Sequence, residues 1–195
     1  MIDAPYICLN DAPGQVGGQL AGWAMNPKYQ EYRLYWRNNG VNYRTAPVEF
    51  REKIAFPEET LGDALKAATR AIPSVSEAAI ISTCNRTELY FAMDPNQEHG
   101  VVEWLADARA IRPTELEAVA YSHWDQDAAK HLIRVASGLD SQVLGEPQIM
   151  GQVKTAYDLA RTAGTIGPEL SLLSQVTLST AKRVRTDTDI GRNPV

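Results

Sequence analysis

Ala78-Ala79-Ile80-Ile81-Ser82-Thr83-Cys84-Asn85-Arg86-Thr87-Glu88-Leu89-Tyr90-Phe91-Ala92-Met93 decides how the chain is read. Ala78–Thr83 is a short apolar run that reads as a buried strand, and Glu88–Met93 reads as a second. Upstream, Pro57-Glu58-Glu59-Thr60 opens a helix, since proline and acids suit a first turn. Leu61, Leu65 and Ala68 give that helix its apolar face, and Ile72-Pro73-Ser74 ends it. Further back, Arg44-Thr45-Ala46-Pro47 is a turn. From about Tyr32 to Tyr43 aromatic and β-branched residues recur as in a strand, which Asn38-Asn39-Gly40 is expected to interrupt. Downstream, Asp94-Pro95-Asn96 closes the second strand, and Val101–Ala110 is a helix with Val102, Leu105 and Ala106 inward. The order strand–helix–strand–strand–helix predicts an α+β fold, a ferredoxin-like split βαβ sandwich.

A helical segment is expected to follow. Asp125–Ser137 carries Ala128, Leu132, Val135 and Ala136 at helical spacing, with Asp125 as candidate N-cap. Ile149–Thr162 is a second helix, ended by Gly164, and Pro168 to about Val184 is a third, with Leu170, Leu173, Val176 and Leu178. The first 38 residues are rich in Gly, Pro, Asn and Gln and show no steady period before about residue 32. The chain closes on Asp189-Ile190-Gly191-Arg192-Asn193-Pro194-Val195 without an obvious cap, which reads as a cut in a longer chain.

Composition narrows the class. The 195 residues are 44% hydrophobic and 22% charged, which argues against wholesale disorder. No apolar run approaches the roughly 18 residues a bilayer span needs, so no membrane partner is expected. Nineteen Lys and Arg against 24 Asp and Glu give a net charge of −5, which disfavours a general nucleic-acid coat protein. Two cysteines and three histidines make neither a disulfide scaffold nor a zinc site, and no metal is expected. The N-terminus lacks a basic start followed by an apolar core. Asp3, Asp11 and Glu31 disfavour a transit peptide, so a reducing cytoplasm with Cys8 and Cys84 as free thiols is expected.

Three stretches carry chemistry. In the first, Cys84 stands where an apolar strand meets a polar turn, and Arg86 two residues on can favour the thiolate or offer a fork to a carboxylate. The alternative is a cysteine buried as a small hydrophobe beside a surface Arg86–Glu88 ion pair. In the second, Ala136–Gln152 sets Ser141, Glu146 and Gln148 in a glycine-punctuated turn between helices; this is either a pocket for an amino group and a carbonyl or a capped corner. In the third, Ala181–Asp189 holds three cations in four residues, serving either a phosphate backbone or a solvated helix end. His131 is either a core histidine or a group that moves or orients a proton, while His123 reads as a loop residue and His99 as part of a surface turn. Neither a Gly-x-Gly-x-x-Gly turn nor a Walker loop is present.

The sequence of these motifs resembles the glutamyl-tRNA reductase family. Ile81–Tyr90 is similar to that family's active-site segment and Arg134–Val153 to its substrate loop; Gly40–Val48 and Ala181–Gly191 match in the same order. The resemblance implies that Cys84 is a nucleophile that attacks the ester of glutamyl-tRNA and forms a glutamyl thioester. Hydride from NADPH then gives glutamate-1-semialdehyde, the first step of five-carbon tetrapyrrole synthesis. It further implies that Thr83, Asn85 and Arg86 hold the glutamyl group, with Arg86 suited to its side-chain carboxylate. Ser141, Glu146, Pro147, Gln148 and Gln152 complete the pocket, and His131 matches a histidine important for activity.

The family usually has histidine where this chain has Tyr43, and a short apolar strand at its start that residues 1–38 lack. Its members continue into an NADPH-binding domain and a dimerising helical domain, so no cofactor-binding residue is expected in this chain, although the full family forms homodimers. Handover of product to the downstream aminomutase is a further implication. The expected organisation is an N-terminal extension over 1–38, a catalytic domain over 39–185 and a stub over 186–195. Alone, the chain is expected to stop at the thioester or to deacylate. The alternative is a non-catalytic paralogue that binds tRNA or a partner.

Overall fold

The computed structural model describes residues 35–94 and 100–191. Residues 1–34 and 95–99, with Cys8 and His99, lie outside the described residues. Four strands, β1 (Tyr35–Asn42), β2 (Val75–Ser82), β3 (Arg86–Met93) and β4 (Tyr121–Trp124), form one sheet in the order β2-β3-β1-β4. Every neighbouring pair is antiparallel, so β1 and β2 run parallel with β3 between them. This is the split βαβ arrangement, and the fold is α+β. Helices α1 (Val48–Ile54) and α2 (Glu58–Ala71) join β1 to β2; α3 (Val101–Ala108) and α4 (Pro113–Glu117) join β3 to β4. The helical segment is α5 (Asp125–Ala136), α6 (Gln148–Ala163) and α7 (Pro168–Asp187), closed by a 3-10 turn at Asp189–Gly191.

The elements form for the reasons their sequences give. In α2, Leu61, Leu65 and Ala68 are the buried positions, one stripe at helical spacing. The same holds for Ala128, Leu132, Val135 and Ala136 in α5. Gly164 ends α6 in the left-handed conformation, with φ +75°. β3 is buried at all eight positions because both faces of the sheet are covered. One face carries Arg86, Glu88 and Tyr90 and meets His131 of α5. The other carries Thr87 and Leu89 opposite Ser82 and Ile80, and Ser82 Oγ accepts the Phe56 N–H there.

Four expectations need correction. Asn38-Asn39-Gly40 does not interrupt a strand: it lies inside β1, a central strand that starts at Tyr35 and crosses the expected 38/39 boundary. Arg37 Nε donates to Asn39 Oδ1 at 2.6 Å and Asn38 Nδ2 to the Leu89 carbonyl at 3.5 Å, while the buried Asn38 Oδ1 has no partner. Asp125 does not cap α5 but is its first residue, at φ +45°, with Oδ1 accepting the Trp36 N–H at 3.3 Å. His123 lies in β4, not in a loop. The buried line of α7 is Leu170, Leu173, Ser174, Thr177 and Ala181, while Val176 and Leu178 are half-buried.

Candidate functional site

Cys84 is an exposed thiol at the apex of the β2–β3 hairpin. The hairpin is clamped: the Thr83 N–H donates to the Arg86 carbonyl at 2.8 Å, and Thr83 Oγ1 accepts the N–H groups of Asn85 and Arg86, each at 3.2 Å. Arg51 of α1 donates Nε–H to the Cys84 carbonyl at 3.2 Å and Nη1–H to that of Ala46 at 2.8 Å. The Tyr43 N–H donates to the Asn85 carbonyl at 2.9 Å. A turn held on both sides presents the sulfur to solvent in a fixed place, so the cysteine is not a packing residue.

The corner between α5 and α6 is built on two glycines. Gly138 and Gly145 have φ of +77° and +79°, and a Cβ on Gly138 would stand 2.9 Å from Gly145 Cα. The Gly145 N–H donates to the Gly138 carbonyl at 2.9 Å, which pinches residues 139–144 into a loop. Ser141 is 7% exposed and its hydroxyl has no partner. Glu146 is half-buried, while Pro147, Gln148 and Gln152 are exposed at the start of α6. Gln148 and Gln152 share one helix face at i, i+4. On the far side, Arg185 Nη1 donates to the carbonyls of Gly145 and Glu146, each at 3.2 Å. The cationic run of α7 is therefore divided: Arg185 holds the loop, while Arg183 lies 4.0 Å from Asp187.

Two links bring the cysteine turn and this corner together. The Tyr43 hydroxyl donates to the Ser141 carbonyl at 3.1 Å, and Arg86 Nη2 donates to the Asp140 carbonyl. Thr83, Cys84, Asn85, Arg86 and Ser141 thus form one neighbourhood. Among the described residues no hydrogen bond joins Gln148 or Gln152 to the cysteine turn; these two stand on the rim.

Beneath the site lies a buried polar network. Glu88 is 0% exposed. Its Oε1 accepts from Arg86 Nη1 at 2.7 Å, from His131 Nε2 at 2.9 Å and from the Tyr121 hydroxyl; its Oε2 accepts from the Tyr90 hydroxyl at 2.7 Å. Burial would raise this carboxyl, but the His131 hydrogen bond and the Arg86 charge win and hold it well below the usual range. The same setting raises Tyr90 and Tyr121, first by burial and then by the Glu88 charge. His131 Nδ1 lies 3.6 Å from Asp140 Oδ2, and the His123 ring packs against the His131 ring at 4.7 Å between centroids. Burial and the neighbouring His131 lower His123.

The Arg86–Glu88 pair is therefore interior, not superficial, and Arg86, at 1% exposure, has its fork engaged inside the molecule. Freeing one partner of such a pair costs about 3–5 kcal/mol. The sequence names Glu88 only as a surface partner of Arg86 and gives no role to Tyr121, Asp140 or Arg44. The signal for Glu88 was there, since Arg86, Glu88 and Tyr90 recur at every second position and share one face. For Tyr121 and Asp140 no short-range pattern exists, because their partners lie 33 and 54 residues away.

Residues 40–188 match the family model described as glutamyl-tRNAGlu reductase, N-terminal domain. The chain is 57% identical over 156 residues to the glutamyl-tRNA reductase of Ectopseudomonas mendocina, covering 80% of this chain and 36% of that one. The glutamyl-tRNA reductase of Pseudomonas aeruginosa is 56% identical over 156 residues, with 80% and 37% covered. The solved glutamyl-tRNA reductase from Methanopyrus kandleri superposes with a TM-score of 0.67 at 29% identity, covering 82% of this chain and 36% of that one. The chain spans little more than a third of the length of these relatives.

Proposed function

The chain belongs to the glutamyl-tRNA reductase family, through its N-terminal domain, and from that premise we propose that it performs the acyl-transfer half of that chemistry. The Cys84 thiolate attacks the ester carbonyl of glutamyl-tRNA. The carbon–oxygen bond to the ribose breaks, the 3′ hydroxyl leaves with a proton, and a glutamyl thioester remains. A thioester has less resonance stabilisation than an oxygen ester, so one hard step becomes two easier ones. The observation that carries the proposal is the exposed thiol on a clamped turn, tied through Tyr43 and Arg86 to the Ser141 corner.

In this reading Thr83, Asn85 and Arg86 form one wall and Ser141, Glu146, Pro147, Gln148 and Gln152 the other. Arg86 joins the two walls. His131 is a positioning residue, because its Nε2 is held by Glu88. NADPH is proposed for the whole protein, but the described residues do not fit it. All four strands lie in one antiparallel sheet, without the parallel strand–glycine turn–helix unit that cradles a dinucleotide. Hydride transfer is not assigned to any of them. No helix among the described residues is long and apolar enough to cross a membrane. A cytoplasmic setting, a homodimer and handover to an aminomutase complete the proposal for the whole protein, with the segment from β1 to α7, residues 35–187, as its catalytic domain.

The test is to mix the chain with glutamyl-tRNA and read intact mass. A glutamyl adduct on Cys84 is expected, with slow deacylation of the tRNA that Cys84→Ser abolishes. Tight, salt-sensitive tRNA binding without adduct or deacylation would replace this reading with a non-catalytic binding module.

A further inference from the structure

We propose that Arg185, from the cationic run of α7, is a positioning residue for acyl transfer. It fixes the second half of the α5–α6 corner from behind and so sets where that wall stands relative to Cys84. This role rests on the acyl-transfer reading and deepens it. Arg185 touches neither the thiol nor the acyl group; it acts through the backbone of Gly145 and Glu146.

The two halves of the corner are held differently. The first half is tied at its root and at its front. The N–H groups of Leu139 and Asp140 return to the Arg134 carbonyl at 2.8 and 3.3 Å. Arg44 Nη1 reaches Asp140 Oδ1 at 3.2 Å, Arg86 Nη2 donates to the Asp140 carbonyl, and the Tyr43 hydroxyl donates to that of Ser141. The second half lies past these contacts. Val143 and Leu144 are exposed, so little burial anchors them. The Glu146 N–H turns back on the Val143 carbonyl at 3.2 Å, and the Gly145 N–H on that of Gly138 at 2.9 Å; both bonds lie within the corner itself. The hold from another element comes from α7, where Arg185 Nη1 donates to the carbonyls of Gly145 and Glu146, each at 3.2 Å.

Helix register turns Arg185 toward this loop. Ala181 is the last buried residue of α7, and Arg185 stands four positions on, on the same face. It is half-buried, while Lys182 and Arg183 are exposed. A charged donor makes a stronger hydrogen bond to a carbonyl than a neutral one. The two carbonyls it grips stand at the step from the corner into α6, and Pro147, Gln148 and Gln152 follow that step. A shift at Gly145 therefore carries the wall away from the thiol. A misplacement of about 1 Å is enough to cost about 100-fold in rate.

The experiment follows acylation of Cys84 by glutamyl-tRNA with intact mass, across tRNA concentration, in the wild-type chain, Arg185→Met, Arg185→Lys and Lys182→Met. Arg185→Met is expected to lower the rate at saturating tRNA about 10- to 100-fold, with the half-saturating concentration within about twofold of wild type. Arg185→Lys is expected to recover part of that loss, since its ammonium still donates but lacks the planar fork. Lys182→Met is expected to keep the saturating rate within about twofold, because an exposed cation acts on tRNA encounter alone. Alkylation of Cys84 by iodoacetamide is expected to stay within about twofold in every variant, because the cysteine turn is clamped separately. The assignment is overturned if Arg185→Met keeps the wild-type saturating rate. It is also overturned if the loss lies in half-saturation and is shared by Lys182→Met, or if alkylation slows in step with acylation. Should Arg185→Met lose its thermal transition, Arg185→Lys carries the test, and a saturating rate equal to wild type overturns the assignment. A wild-type chain that takes no adduct sinks the acyl-transfer reading itself, a separate outcome that takes this role with it.

Discussion

Glu88 shows how one side chain can organise a site without facing it. Four donors converge on its two oxygens, and one of them, Arg86, ties the cysteine turn to the Asp140 carbonyl. Glu88→Gln replaces an acceptor by an amide donor facing other donors and leaves Arg86 without its counter-charge. A loss of about 3–5 kcal/mol is expected in urea unfolding. The pH dependence has a definite sign. Because the folded carboxyl is depressed, its stabilisation is present above the unfolded value of about 4.3 and is lost as pH falls through the lower folded value. Wild-type stability should therefore fall steeply below about pH 4.5, and the Gln variant should lack that part of the slope. His123 should titrate below about 6.5 by proton NMR; the stability it gives as a neutral ring is present above that pH and lost as pH falls.

At the level of elements, α7 depends on a residue from another part of the chain. Glu77 of β2 is buried, and its carboxylate accepts the N–H groups of Glu169 and Leu170, at 3.1 and 2.8 Å, in the first turn of α7. Gly167 is small enough to let it in, since a Cβ there would stand 2.5 Å from Glu77 Oε1. Glu77→Ala should cost about 1–2 kcal/mol in thermal unfolding, and Glu77→Gln less, because the amide oxygen still accepts one bond.

The sequence was legible where burial repeats with a period. The α2 and α5 stripes and the apolar part of β2 are of this kind, and so is the glycine that stops α6. It was illegible where a polar strand is made central by distant partners. β1 is Tyr-Trp-Arg-Asn-Asn-Gly-Val-Asn, and Gly40 belongs there because a Cβ would meet Glu88 Cγ at 2.7 Å. β4 is four residues and α1 seven, too short for a period to show. In the site, Cys84 and the Ser141 corner stood out as motifs. Arg44 did not, because its partner Asp140 lies 96 positions later in the chain.

Across the whole domain, the loop that forms one side of the site is held from behind by the last turn of α7 and the residues after it. Arg185 grips two of its carbonyls, and Ile190 packs so closely on Gly145 that a Cβ there would fall 1.9 Å from the Ile190 carbonyl oxygen. Gly145→Ala must displace one or the other, at φ +79°. A loss of about 2 kcal/mol or more is expected in unfolding, together with slower acylation of an untouched Cys84. The 3-10 turn at Asp189–Gly191 thus lies against the back of this loop. A label or a pull at Gly191 should therefore reach the Gly138–Gly145 corner through Ile190 and Arg185, without touching Cys84.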